Sequence, residues 1–178
     1  GVVGVAGAAC SGASMGANAV LNAAGVVQVS YASTFPGLSD TNAYPGFWRV
    51  VPSDALQGQA MAAMVVAAGA SNPALLYAQE DCCALLGDAF TDAWGGEWEL
   101  CTKIGYAGEA TLYTGFQDII DAECDSVVLV VPDHHDGANA VSELLERGFS
   151  GQIFGSDSMA ETSEDYPEVP SLCESVWF

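Results

Sequence analysis

Short apolar runs alternate along this chain with longer stretches of helical period. The runs are Val2–Ala6, Val26–Ser30, Phe47–Val50, Ala74–Ala78, Trp98–Ile104, Ser126–Val131 and Gln152–Gly155. Several are apolar from end to end, the pattern of parallel strands covered on both faces. Between them, Ser11–Ala24, Asp54–Gly69, Ala84–Trp94, Leu112–Ala122 and Gly137–Arg147 read as helices. Asp54 with Gln57 three residues on is a capping pair, with Pro52 just outside. Gly25, Gly69 and Gly148 stand where helices should close. This alternation predicts an α/β fold with a doubly wound, mostly parallel sheet.

Two segments lack either period. Phe35–Gly46 is a long connection rich in Pro, Gly, Ser, Asp and Asn, and connections of that length are usually functional. Met159–Cys173 is acidic and proline-bearing and reads as a surface connection. There is no internal repeat. The chain of 178 residues is long enough for one domain or parts of two. Val2-Val3-Gly4-Val5 reads directly as strand, without a charged leader before it, so the chain starts inside structure and is expected to be a piece of a longer one.

Charge narrows the range of partners. There are 23 acidic side chains against three basic ones, a formal net charge of −20. Arg49, Lys103 and Arg147 are too few and too scattered to neutralise phosphates, which argues against nucleic acid. An anionic membrane surface repels such a chain as well. No apolar stretch reaches the ~18 residues needed to span a bilayer.

Six cysteines, Cys10, Cys82, Cys83, Cys101, Cys124 and Cys173, contain no C-x-x-C pair, so zinc-ribbon and thioredoxin chemistry are not indicated. Cys82 and Cys83 are adjacent, and adjacent cysteines rarely bond each other. Pairs such as Cys101 with Cys124 are open to an exported protein, and buried free thiols are the alternative.

Four segments carry candidate chemistry. Gly7-Ala-Ala-Cys10-Ser11-Gly12 follows a strand and opens a helix. Its small residues let a ligand approach the unpaired first-turn N–H groups, with the Ser11 hydroxyl beside them, a cradle for a carboxylate or phosphate. The alternative is an ordinary N-terminal serine. Ser30-Tyr31-Ala32-Ser33-Thr34 ends another strand, where open α/β sheets bind ligands. Gly155-Ser156-Asp157-Ser158 places a carboxylate at a third strand end, suited to a cation, or else simply to a turn. Pro132-Asp133-His134-His135-Asp136 reads as a polar loop on a cleft rim, since adjacent histidines point apart and need outside ligands to hold a metal. Together these segments offer neutral hydroxyls, helix-end donors and separate carboxylates, a set that suits a zwitterion. Gly12-Ala-Ser14-Met-Gly16 formally matches G-x-S-x-G, but the serine falls inside the helix rather than at the strand-to-helix turn. A hydrolase using Ser14, with His134 or His135 as base, is the alternative function.

The chain also resembles a known family. Gly4-Val-Ala-Gly7-Ala-Ala-Cys10-Ser11-Gly-Ala-Ser14, Val27-Gln-Val-Ser30-Tyr-Ala-Ser-Thr34-Phe-Pro-Gly-Leu-Ser-Asp40, Phe47-Trp-Arg-Val-Val-Pro-Ser-Asp54-Ala-Leu-Gln57 and Gly155-Ser-Asp157 resemble type I periplasmic binding proteins of the branched-chain amino acid group and the Venus-flytrap ligand domains of class C receptors. The resemblance implies two α/β lobes closing on a ligand, incomplete here. Residues 1–53 would be part of lobe one and residues 54–178 most of lobe two. It implies that Ser11 binds an amino-acid carboxylate, that Ala32 and Thr34 contact the ligand, and that Asp54 and Asp157 lie near its ammonium. The family often carries an aromatic of a Tyr-Gly pair stacked over the ligand. Cys82-Cys83 stand there instead, which removes the stacking wall and opens the ligand class.

The resulting expectation is a non-enzymatic extracellular or periplasmic binding module for an amino acid or similar small zwitterion, serving receptor signalling or ABC-type uptake. No cofactor or metal is expected. A membrane receptor portion or transporter partner would lie outside the chain, and self-association through uncovered apolar faces is expected. A structural module that kept the fold and lost its pocket is the further alternative.

Overall fold

Every strand pair among the described residues is parallel. The computed structural model describes residues 1–95, 99–159 and 176–177. They fall into two compact units, Gly1–Gln57 and Gly58–Phe178.

In the first unit, β1 (Gly4–Ala6), β2 (Val27–Ser30) and β3 (Phe47–Arg49) form a three-stranded sheet in that order. Helix α1 (Ser11–Ala23) makes the crossover from β1 to β2, as parallel pairing requires. A 3₁₀ turn, Pro36–Ser39, sits within the long connection to β3. In strand β2 the buried positions are the polar ones. Gln28 and Ser30 are fully buried while Val27 and Val29 are 44% and 37% exposed.

In the second unit the sheet order is β5-β4-β6-β7-β8, built from β4 (Pro73–Ala78), β5 (Thr102–Tyr106), β6 (Ser126–Val130), β7 (Gln152–Gly155) and β8 (Val176–Trp177). Helices α2 (Asp54–Ala67), α3 (Asp81–Trp94), α4 (Glu109–Asp121) and α5 (His134–Glu146) alternate with them, and the boundary between the units falls inside α2. Here the two-sided burial holds. Leu75, Leu76, Val127, Val128, Leu129, Ile153 and Phe154 are essentially inaccessible, packed with Val65, Phe90, Phe116, Ile119 and Leu144. Gly69 and Gly148 turn α2 and α5 off with φ of +82° and +87°, a conformation that costs glycine little.

Several expected boundaries are corrected. Helices α3, α4 and α5 start three residues earlier than their apolar period suggests, at Asp81, Glu109 and His134. A polar first turn carries no apolar signal. The Pro132–Asp136 segment is therefore not a free loop. Asp133 caps α5 by accepting from the Asp136 N–H at 3.0 Å. Asp54 is the first residue of α2 rather than its cap, and the Ser53 carbonyl receives the N–H groups of Leu56 and Gln57. The fifth strand is Thr102–Tyr106, with register Ala74↔Thr102 to Ala78↔Tyr106, displaced from the expected Trp98–Ile104. Trp98 itself, and residues 160–173 of the acidic tail, lie outside the described residues.

Cys101 and Cys124 are joined in a disulfide with Cα atoms 5.7 Å apart. Cys10 and Cys82 are exposed free thiols and Cys83 is a buried one, while Cys173 lies outside the described residues.

Candidate functional site

Parallel pairing puts the ends of β1, β2 and β3 on one edge of the first sheet, so the turns after them are neighbours. Buried hydroxyls hold these turns. The Ala8 carbonyl receives the Ser14, Ser30 and Ser33 hydroxyls. Ser30 Oγ in turn accepts the N–H of Ala32 at 3.2 Å and of Ser33 at 2.8 Å. Ser33 Oγ also reaches the Ala9 carbonyl at 3.0 Å. Below this, Gln28 Nε2 donates to the Ser14 carbonyl and Asn18 Nδ2 to the Pro45 carbonyl. Buried polar groups partnered in this way fix one arrangement, since leaving any of them unpaired is costly.

The candidate residues sit on top of this network. Ser11 opens α1 after Cys10, and its Oγ accepts the Phe35 N–H at 3.1 Å. Ala32 is exposed and Thr34 half-buried on the neighbouring turn. The Asp54 N–H donates to the Thr34 carbonyl at 2.9 Å, tying the start of α2 to that turn. Asp54 is 4% exposed. The first unit thus brings Ser11, Ala32, Thr34 and Asp54 to one edge.

Arg49, overlooked as a positioning group in the sequence, clasps the same loop. Its guanidinium donates to the carbonyls of Phe35 at 2.9 Å and Ser33 at 3.3 Å, and to Ser39 Oγ. Burial lowers its pKa, and the charge of Asp54 works against that. The signal for it in the sequence is its place three residues before the Pro52-Ser53-Asp54 start of α2, but nothing in its identity distinguishes clasp from solvated arginine.

Ser14 is fully inside the network, with Oγ 2.8 Å from Ser33 Oγ. It is not the exposed elbow serine that a hydrolase needs.

In the second unit, Cys82 lies in the first turn of α3 and Asp157 opens the 3₁₀ turn Asp157–Met159 after β7. That turn is anchored by Ser158 Oγ donating to the Val131 carbonyl at 2.6 Å and by the Ser156 N–H donating to Leu129. The carboxyl ends of β4 to β7 are electronegative. Burial, then the neighbouring Cys82, Glu80 and Asp157, push the Cys83 thiol far up. Tyr106, at the end of β5, is pushed up by burial and by Asp136, Cys83, Glu80 and Asp133, and its hydroxyl is buried with no hydrogen-bond partner among the described residues. Asp133 is held below the usual carboxylate range by the Asp136 N–H, while burial and then the Asp133 charge raise Asp136. Tyr106 and Glu80 were not singled out in the sequence. Only the strand-end position of Tyr106 could have marked it. Among the described residues no group of three or more His, Cys, Asp or Glu could hold a metal ion, and no helix is long and apolar enough to cross a membrane.

Residues 1–104 match the family described as the receptor family ligand binding region. The chain is 48% identical over 68 residues to metabotropic glutamate receptor 6 of Oryctolagus cuniculus, covering 38% of this chain and 8% of that receptor. It is 47% identical over 68 residues to metabotropic glutamate receptor 8 of Homo sapiens, again 38% and 8%. To metabotropic glutamate receptor 4 of Rattus norvegicus it is 50% identical over 64 residues, 36% of this chain and 7% of the receptor. The chain therefore matches less than a tenth of the length of these relatives.

Proposed function

The chain belongs to the family of the receptor ligand binding region, and from that premise we propose that it recognises an amino acid or similar small zwitterion in the service of receptor signalling. The module itself is an extracellular ligand-binding one, and its Cys101–Cys124 disulfide suits an oxidising compartment. In our reading Ser11, Ala32, Thr34 and Asp54 are ligand contacts of the first unit, and Cys82 and Asp157 those of the second. Residues 1–53 would be part of one lobe and 54–178 most of another.

One observation carries the reading: Ser11, Thr34 and Asp54, far apart in sequence, are tied together at a single strand-end edge by the Phe35 N–H to Ser11 Oγ bond and the Asp54 N–H to Thr34 carbonyl bond. Hydroxyls and helix-end N–H groups beside a carboxylate fit the two charges of a zwitterion. The similar proteins are metabotropic glutamate receptors, which points the same way. The absence of an aromatic at Cys82-Cys83 leaves the side chain of the ligand open.

The test is isothermal calorimetry and thermal shift on the full-length protein with the twenty amino acids. A ligand present at ~100 times its Kd should add about 2.7 kcal/mol of stability. No heat and no shift with any of them rejects amino-acid recognition.

A further inference from the structure

Cys82 and Cys83 have side-chain sulfurs 3.6 Å apart, the first exposed and the second buried at 4%. They stand in the first turn of α3, which Glu80 precedes without a side-chain cap. The unit that carries them also holds the oxidised Cys101–Cys124 pair. A dithiol and a formed disulfide thus share one unit, which calls for a physical measure of how readily each bond opens.

Geometry supplies it. Neighbouring Cα atoms are ~3.8 Å apart across a trans peptide. Disulfide-bonded cysteines usually have Cα atoms ~4.4–6.8 Å apart, and departures store strain and make the bond easier to reduce. Closing this pair requires the sulfurs to move from 3.6 Å to bonding distance and the first turn of α3 to yield. An uncapped turn yields most readily. Cys101 and Cys124, 5.7 Å apart at Cα, sit inside the ordinary range.

We propose that Cys82–Cys83 is a reversible exchange site for low-molecular-weight disulfides, Cys82 attacking and Cys83 resolving. In the first step Cys82, having lost its proton to solvent, attacks one sulfur of R–S–S–R. The small disulfide breaks, a Cys82–S–S–R bond forms, and one R–S⁻ leaves to become R–SH. In the second step Cys83 attacks Cys82 Sγ, the Cys82–S–S–R bond breaks, and the Cys83 proton passes to the departing R–S⁻, which leaves as the second R–SH. The protein's two thiols are oxidised by two electrons and the small disulfide is reduced to two thiols. The division of labour follows from access: Cys82 faces solvent, and Cys83 lies behind it, its thiol held in the neutral form by burial and by nearby negative charge. Cys10, an exposed free cysteine without a described thiol neighbour, is an internal control that keeps whatever it captures.

The experiment treats the full-length chain with oxidised glutathione, quenches with acid, and reads each cysteine peptide by mass spectrometry. Expected are a glutathionyl group on Cys10, and loss of two hydrogens with no retained glutathionyl group on the Cys82–Cys83 peptide. Cys83→Ser should trap a glutathionyl group on Cys82. Cys82→Ser should leave Cys83 unmodified while Cys10 reacts. In a dithiothreitol titration of the oxidised protein, the Cys82–Cys83 bond should open before Cys101–Cys124. A wild-type pair that stays reduced while Cys10 is modified, or that retains a glutathionyl group on Cys82, overturns the proposal. So does Cys83 reacting as fast as Cys10 in the Cys82→Ser protein, or Cys101–Cys124 opening first.

Discussion

The Phe35 backbone N–H donates to the Ser11 hydroxyl across 3.1 Å, so the turn that opens α1 and the turn that leaves β2 are one connected surface. A ligand acting on either turn acts on both. Replacing Ser11 by Ala removes this link and the hydroxyl but leaves the helix-end N–H groups. The expected loss of affinity is ~1–2 kcal/mol. Asp157→Ala should weaken binding more, by ~2–5 kcal/mol if the carboxylate pairs with a buried ammonium, or ~30-fold and upward. Calorimetry on the full-length protein checks both, and equal affinities for wild type and Asp157→Ala would remove Asp157 from the site.

The disulfide spans a sequence separation of 23 residues, from the residue before β5 to the turn between α4 and β6. Chain-entropy arguments put its contribution at about 3 kcal/mol for a loop of that size. The double variant Cys101→Ser, Cys124→Ser should therefore melt well below wild type. A melting curve that does not shift would mean the link restrains the native state no more than the packing already does.

Asp125 gathers donors on both oxygens. Its Oδ2 accepts the N–H groups of Ser71 at 2.7 Å and Asn72 at 2.8 Å, and its Oδ1 accepts the Ser126 hydroxyl at 2.8 Å. Burial alone would raise its pKa, but these bonds outweigh it and the net shift is downward. A depressed folded-state pKa gives stability that is present above the unfolded value, ~3.9, and is lost as pH falls through the folded value. Asp125→Asn should lower the melting temperature at neutral pH and flatten its decline in acid. Parallel melting-versus-pH curves for the two proteins would contradict this.

Gly58 in α2 leaves no room for a side chain, since a Cβ there would stand 2.5 Å from the Ala89 backbone carbon in α3. Backbone cannot swing aside as a side chain can. Gly58→Ala should cost ~1–3 kcal/mol through forced separation of the helices, despite the better helix propensity of alanine. Chemical denaturation would detect it, and an unchanged midpoint would show that the two helices part freely.

The sequence made some of this readable and concealed the rest for physical reasons. Continuous apolar runs such as Ser126–Val131 announced the buried parallel strands of the second unit, because both faces of β6 are covered. The beginnings of α3, α4 and α5 were hidden, because Asp81, Glu109 and His134 carry no period. Ser11, Thr34 and Asp54 were legible as strand-end and helix-start residues, and the bonds from Phe35 to Ser11 and from Asp54 to Thr34 were not. Tyr106 was invisible as anything but a strand residue, since the burial of its hydroxyl away from any partner among the described residues is a matter of surroundings rather than composition.

Strand β2 turns the usual polarity of a strand inside out, with Gln28 and Ser30 inward and Val27 and Val29 toward solvent. A slip of one residue against β1 and β3 would exchange the two faces and bury the valines. Oil-seeking forces alone would reward that mistake. What forbids it is the Gln28 amide reaching the Ser14 carbonyl and the Ser30 hydroxyl reaching Ala8, so alignment here is chosen by matching donors to acceptors. The residues that fix how this sheet is threaded are therefore the same ones that hold the turns after β1 and β2 in place, so an error of alignment would also unseat the backbone that carries Ala32 and Thr34.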